Sequence, residues 1–211
     1  MTTLSDALAT TPVIAILRSG SAARFAEVAE TLCAEGVRAV EFTLTTPGVL
    51  DALREFSQHR PDGLALGAGT VTTPHEAEQA VAAGAGYLIT PAVSPAVIAE
   101  ARKLGVPVLP GALTPTEILG AWQLGAAMVK LFPGSLGGPA YVRAVRAPLP
   151  DVPLVPTGGI ALEEAPAYLA AGATALGLGG PLIGDACESG DLEALRERAA
   201  LLVGNLTGTR R

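Results

Sequence analysis

Apolar and small residues follow a pattern that repeats along the chain: a helical run ends in small residues and a glycine, and a short apolar run follows. The phrase reads AEGVRAVEF, AAGAGYLIT, KLGVPVLPG, QLGAAMVKL and AAGATALGL, with the glycine at 36, 84, 105, 125 and 172. The steps of 48, 21, 20 and 47 residues are one or two units of about 20 to 24, the length of one strand, one helix and two tight loops. A glycine closing a helix and a β-branched run behind it are a helix stop and a strand start.

Filling the gaps predicts eight strands, at 13–17, 39–44, 64–71, 87–91, 107–113, 128–132, 154–157 and 175–179. Helical patterns lie between them, among others at 22–35, 74–83, 115–124 and 163–171. Several open on Thr or Ser followed by Pro, which suits a capped first turn. Eight alternations of strand and helix predict an α/β protein, a single domain over 1–211 folded as a closed parallel (β/α)8 TIM barrel, near the short end of the length for that fold. An open doubly wound sheet is the alternative. It needs fewer strands in this length and a nucleotide loop, and no GxGxxG, GKS or GKT motif is present.

Composition changes the picture in three ways. Only 16% of residues are charged and 49% are hydrophobic, which predicts a large core and further apolar surface buried against other subunits. The net charge of −6 argues against nucleic acid and anionic membrane surfaces as partners, since clustered Lys and Arg hold both. Two uncharged stretches, 79–99 and 165–184, have the length of a membrane span. Gly84, Gly86, Pro91 and Pro95 break the first, and Gly172, Gly177, Gly179, Gly180 and Pro181 the second, so both read as buried helix, turn and strand. Residues 1–11 lack the basic start and apolar run of a secretory leader, and a cytoplasmic location is expected. Cys33 and Cys187 have no motif spacing and are expected to be reduced and inert.

Of the 14 basic residues, 12 are Arg and two are Lys, Lys103 and Lys130. Lysine chemistry therefore has two candidates. Lys103 ends a helix beside Gly105, where a solvated cation suits the helix dipole. An ionisable residue inside a barrel strand needs a reason, and three qualify: Arg18 at the end of the first strand, Glu41 in the second and Lys130 in the sixth. Active sites of this fold lie at the C-terminal ends of the strands, so the three are expected to converge on one pocket.

Lys130 sits between Met128, Val129, Leu131 and Phe132. Desolvation there lowers its pKa and leaves part of the amine neutral, able to attack a carbonyl. A structural ion pair with Glu41, or a lysine snorkelling at the barrel rim, explains the same placement. Glu41, Thr43 and Thr45 share one strand face. If that face is inward, Glu41 can move protons on a bound substrate, or pair with Lys130 or Arg18. Arg18 can hold a carboxylate or phosphate, or be a rim charge. The segments Pro156 to Ile160 and Gly177 to Gly180 close the last two strands. Gly158, Gly159, Gly179 and Gly180 let a backbone approach a ligand, and together suit an anion such as phosphate; singly each is also an ordinary tight turn. His59 and His75 are the only histidines and no carboxylate cluster stands at ligand spacing, so no metal and no cofactor is expected.

The strings VEFTLTTP, GAGTV at 67–71, LITPAV, LPGALTPTE, VKLFPG and VPTGGI together resemble the 2-keto-3-deoxy-6-phosphogluconate and 4-hydroxy-2-oxoglutarate aldolases. The resemblance runs from about Val13 to Gly180. It implies a class I, Schiff-base aldolase in which Lys130 forms an imine with pyruvate and Glu41 transfers protons. It further implies that Thr70 contacts the pyruvate part, that Phe132, Pro91 and Thr157 line the pocket, and that the chain forms a homotrimer. The substrate is then a small 2-oxo acid, cleaved to pyruvate and glyceraldehyde 3-phosphate when it is the phosphorylated six-carbon acid, or to pyruvate and glyoxylate when it is 4-hydroxy-2-oxoglutarate. Two positions depart from the family pattern. Thr45 stands where some members carry Arg, which puts carboxylate binding on Arg18, Thr70 and backbone amides. Pro181 stands where some carry a Ser that reaches the phosphate, and offers neither hydroxyl nor N–H. A phosphosugar isomerase or epimerase on the same barrel, or a non-catalytic phosphosugar-binding barrel, are the competing readings.

Overall fold

A computed structural model of the chain describes residues 2–207; Met1 and residues 208–211 of the span 1–211 lie outside the described residues. The strands are β1 (Val13–Leu17), β2 (Ala39–Thr43), β3 (Ala65–Gly69), β4 (Leu88–Ile89), β5 (Val108–Leu109), β6 (Gly111–Ala112), β7 (Val129–Leu131), β8 (Leu154–Pro156) and β9 (Leu176–Leu178). The helices are α1 (Leu4–Thr10), α2 (Phe25–Ala34), α3 (Val49–His59), α4 (Pro74–Ala82), α5 (Pro95–Lys103), α6 (Pro115–Gln123), α7 (Gly138–Arg146), α8 (Ala165–Ala170), α9 (Gly180–Ile183), α10 (Ala186–Ser189) and α11 (Leu192–Thr207). A 3-10 turn, Leu162–Glu164, precedes α8. The expected alternation is present. None of the described helices is long and apolar enough to cross a membrane.

All paired strands are parallel, in a six-stranded run ordered β5-β4-β3-β2-β1-β9 and a three-stranded run ordered β6-β7-β8. The expected strand 107–113 is split at Pro110, which has no N–H to give to a ladder. Its carbonyl still accepts from the Lys130 N–H at 2.9 Å, and Val108 O accepts from Ala127 N–H at 3.0 Å, so β5 and β6 act as one strand against β7. At the other edge a parallel bridge joins Thr157 to Gly177 and Thr174 N–H donates to Leu154 O at 2.8 Å. The result is an α/β fold around a curled parallel sheet.

Strand alternation divides the core in two. Outward residues such as Val13, Leu17, Val40, Phe42, Leu66, Val129 and Leu176 pack under the helices. Inward ones, Ile14, Ala39, Ala65, Tyr87, Ile89, Leu109, Met128, Val155 and Ala175, form a separate cluster with Leu4, Ala7 and Leu8 of α1. Helix α1, which the strand pattern does not announce, is held by a capping box between Thr3 and Asp6 and puts its apolar face against this inner cluster. The anticipated Thr-Pro starts are capping boxes too, Thr73 with Glu76 at α4 and Thr114 with Glu117 at α6. The repeat glycines end helices as expected, Gly36 for one with φ 96°.

Two glycines of β3 face inward, and neighbours occupy the space where their side chains would stand. A Cβ on Gly67 would enter the ring of Tyr87, and one on Gly69 would collide with the Glu41 carboxylate. Tyr87 is fully buried, and its hydroxyl donates to Val40 O at 2.6 Å, reaching across β3 to β2. Overpacking of that order costs about 1–3 kcal/mol, so Gly67→Ala is expected to lower the urea midpoint by a corresponding amount. An unchanged midpoint would show that the Tyr87 ring is not held over Gly67.

Candidate active site

The strands deliver the three sequence-marked charges to one end. Glu41 lies inside β2, with Ile16 beside it on β1 and Gly67 on β3. Lys130 lies inside β7, between Gly111 and Val155. Arg18 directly follows β1, and its guanidinium donates to Thr70 Oγ1 at 3.2 Å just past the end of β3. A cavity of about 410 Å³ is lined by Arg18, Glu41, Thr70, Pro91, Lys130, Phe132, Thr157, Gly158, Gly159, Gly179 and Gly180. Every site candidate read from the sequence but one is therefore in it. The exception is Thr45: β2 ends at Thr43, the alternation ends with it, and Thr45 is an exposed turn residue outside the cavity. Thr43 is buried and donates to Leu17 O at 2.5 Å, tying β2 to β1. The cavity wall also contains Ile16, Ile160, Pro181 and Ile183. A reading focused on charge passes over them, although Ile16 follows Ile14 by two within β1 and so shares its strand face.

Glu41 is 1% exposed and Lys130 7%. Among the described residues no ion pair of 4.0 Å or less joins Glu41 to Lys130 or Arg18. Glu41 Oε2 is buried without a hydrogen-bond partner. The structural ion pair, one of the explanations for these residues, is thus not what holds them. Burial pushes the Glu41 carboxyl up, and the charges of Lys130 and then Arg18 only partly offset that. Burial pushes the Lys130 ammonium down, Glu41 opposes the shift, and Arg18 adds to it. Both groups are thereby drawn toward their neutral forms. The Lys130 Nζ lies 4.9 Å from the centroid of the Phe132 ring, and Phe132 is an exposed residue of the cavity lining. Lys103, by contrast, is a surface residue whose Nζ bonds Glu100 at 2.7 Å, and this hydrogen bond raises its pKa. One lysine is left for carbonyl chemistry.

The remaining candidates lie elsewhere. His59 and His75 are on α3 and α4 outside this cavity, and the described residues contain no group of three or more His, Cys, Asp or Glu that could hold a metal. Cys33 and Cys187 are free and buried, and burial pushes the Cys187 thiol up to about 12, out of the reactive range.

A buried amine and a buried carboxyl drawn toward their neutral forms and joined by no ion pair, with an arginine at the rim, are equipment for chemistry at a carbonyl. The class is the aldolases, which are carbon–carbon lyases. The sequence model described as "Aldolase: KDPG and KHG aldolase" matches residues 4–197, and the chain belongs to that family. A Pseudomonas aeruginosa protein named 2-dehydro-3-deoxy-phosphogluconate aldolase is 40% identical over 160 residues, 75% of this chain and 71% of that one. A solved structure described as "Native KDPGal structure" is 30% identical with a TM-score of 0.87, covering 94% of this chain and 95% of that one. A KDPG aldolase from Legionella pneumophila, solved with pyruvate captured at low pH as a covalent carbinolamine intermediate, is 29% identical with a TM-score of 0.85, covering 93% and 96%.

The raised Glu41 pKa has a stability consequence with a definite sign. The folded state holds this proton more tightly than the unfolded chain, whose carboxyl titrates near 4.5. The contribution is complete below that pH and is lost as pH rises through the folded value. Glu41→Gln removes the titration, so its melting temperature should gain on that of the wild type as pH rises from about 4.5. A difference that stays constant with pH in calorimetric scans would contradict the shift.

Proposed function

We propose that the chain cleaves and forms the bond between pyruvate and an aldehyde as a class I aldolase, with the imine on Lys130. The observation that carries this is a lysine that is buried, driven toward the free amine and without an ion-pair partner, beside a buried carboxyl with an unpartnered oxygen. The neutral Lys130 amine adds to the C2 ketone. Glu41 gives its proton to the departing hydroxyl, and water leaves a protonated imine beside the Glu41 carboxylate. That carboxylate takes the C4 hydroxyl proton, the electrons of the C3–C4 bond move through C2 to the imine nitrogen, and the aldehyde departs. Glu41 then returns the proton to C3 of the enamine. Water adds to C2 with loss of a proton to Glu41, and collapse of the carbinolamine frees pyruvate and the amine. Atoms and charge balance with no further reactant.

Arg18 and Thr70 sit where they can hold the carboxylate of the 2-oxo acid, and the wall of Gly158, Gly159, Gly179 and Gly180 suits the phosphate of a six-carbon substrate. Phe132, Pro91 and Thr157 complete the pocket. Both the 2-keto-3-deoxy-6-phospho sugar acids and 4-hydroxy-2-oxoglutarate fit this assignment. The wider reading is one closed (β/α)8 domain over 1–211, supported by continuity through Pro110 and the Thr157–Gly177 bridge. Exposed Leu119, Leu124, Leu136 and Leu201 support a homo-oligomer, and the family resemblance makes it a trimer. Free, buried cysteines agree with a cytoplasmic location.

Borohydride treatment with pyruvate, followed by peptide mass spectrometry, should place a reduced pyruvyl adduct on Lys130 and on no other residue. An active preparation without that adduct would refute the imine. In a lactate-dehydrogenase-coupled assay, Lys130→Ala and Glu41→Gln should each lose about 10³-fold or more in kcat while remaining folded. Comparing kcat/KM for phosphorylated and unphosphorylated 2-oxo acids in the same assay identifies the substrate, and a phosphorylated acid is expected to be favoured.

A further inference from the structure

We propose that Tyr87 is a positioning residue for Glu41, a role that rests on the proton-transfer assignment above and extends it. The two inward glycines of β3 form two notches along the bore. Gly67, the lower one, pairs in register with Glu41 itself, and the Tyr87 ring occupies its side-chain space. Gly69, the upper one, receives the Glu41 carboxylate. A glutamate on β2 has both notches of the neighbouring strand within reach, because strands lie about 4.8 Å apart and its side chain has three rotatable bonds. With the lower notch filled by an aromatic ring, the carboxylate is left with the upper, which lies one residue from Thr70 and on the side of the mouth.

The hydroxyl adds a second constraint. Its 2.6 Å bond to Val40 O holds the peptide that carries the Glu41 nitrogen. The phenol has one proton and gives it to that carbonyl, so none is left for Glu41, and Oε2 remains without a partner. Burial and then the charge of Glu41 keep the phenol protonated, so the tether holds across the working pH range.

Two variants separate positioning from packing. Tyr87→Phe keeps the ring and removes the tether; Tyr87→Leu also opens the lower notch. The readouts are the fraction of enzyme trapped when borohydride is added after equilibration with pyruvate, which reports the imine on Lys130 whatever the rate at which Glu41 assists its formation, and exchange of the pyruvate methyl protons with deuterated water, which needs Glu41 to act at C3. Exchange should fall about 3- to 10-fold in Tyr87→Phe and about 100-fold in Tyr87→Leu, as misplacement of a proton-transfer group predicts, while trapping stays within about twofold of wild type. Exchange that keeps its wild-type rate with normal trapping overturns the proposal, as does a parallel fall of both readouts. If Tyr87→Leu does not fold, the Phe variant decides alone. Absence of trapping in the wild type overturns the imine assignment itself and this proposal with it, an outcome distinct from the other two.

Discussion

The cost of keeping a carboxyl and an amine out of water governs this molecule. Either group alone, charged in an apolar bore, would demand several kcal/mol, and a direct ion pair would have met that demand at the expense of reactivity. Glu41 and Lys130 sit close enough to feel each other's charge and make no ion pair. Burial therefore acts on their protonation and moves both toward the neutral form. That outcome requires an apolar floor and room for both side chains. The inner cluster under α1 supplies the first, since Leu4, Ala7 and Leu8 pack with Tyr87, Leu109 and Met128 beneath the two charges.

Room comes from the strands' small residues. Gly69 makes space for the carboxylate, Gly67 for the tyrosine beneath it and Gly177 for Thr157, where an added Cβ would clash. Gly111 lies directly beside Lys130 in the ladder. Apolar large residues at these four places would fill the interior as a packed core, as inward side chains do in parallel barrels. The cavity is thus the layer of the interior in which one strand's side chains are withheld so that its neighbour's can be longer. The low aromatic content, 4%, fits an interior built from many small residues and a few large ones admitted at defined notches.

Much of this was legible from sequence, and the boundary has physical causes. The helix-Gly-strand phrase marks elements because its signals are local, and Arg18, Glu41 and Lys130 stand out because a charge in an apolar strand is rare. Four things were not legible. Helix α1 packs across the inner cluster, and whether a short amphipathic segment docks there depends on contacts distant in sequence. Pro110 divides a strand whose hydrophobic pattern is unbroken, because the missing N–H matters to the ladder and not to the pattern. Thr45 keeps the two-residue spacing from Glu41 but lies past the last paired residue, Thr43, so spacing no longer determines its direction. Gly67 and Tyr87 belong to the same class: register and ring placement join them, and neither has a chemical signature when read alone.

The environment that neutralises the two groups also explains how one carboxyl can serve as acid and then as base. Before substrate arrives, burial outweighs the charges of Lys130 and Arg18 and pushes the Glu41 carboxyl toward its protonated form. When the amine becomes a protonated imine, a cation is fixed in the same well. At the low effective dielectric of a buried site its attraction for a carboxylate is larger than in water, so the pair titrates as a unit and Glu41 releases its proton as that cation forms. Breaking the carbon–carbon bond removes the cation by sending electrons to nitrogen, and the balance returns to the protonated acid, which is the form needed to deliver a proton to C3. The alternation requires no second titratable group. It does require that Glu41 stay unpaired between steps, which is the condition that the Oε2 without a partner and the tyrosine hydroxyl turned toward Val40 maintain.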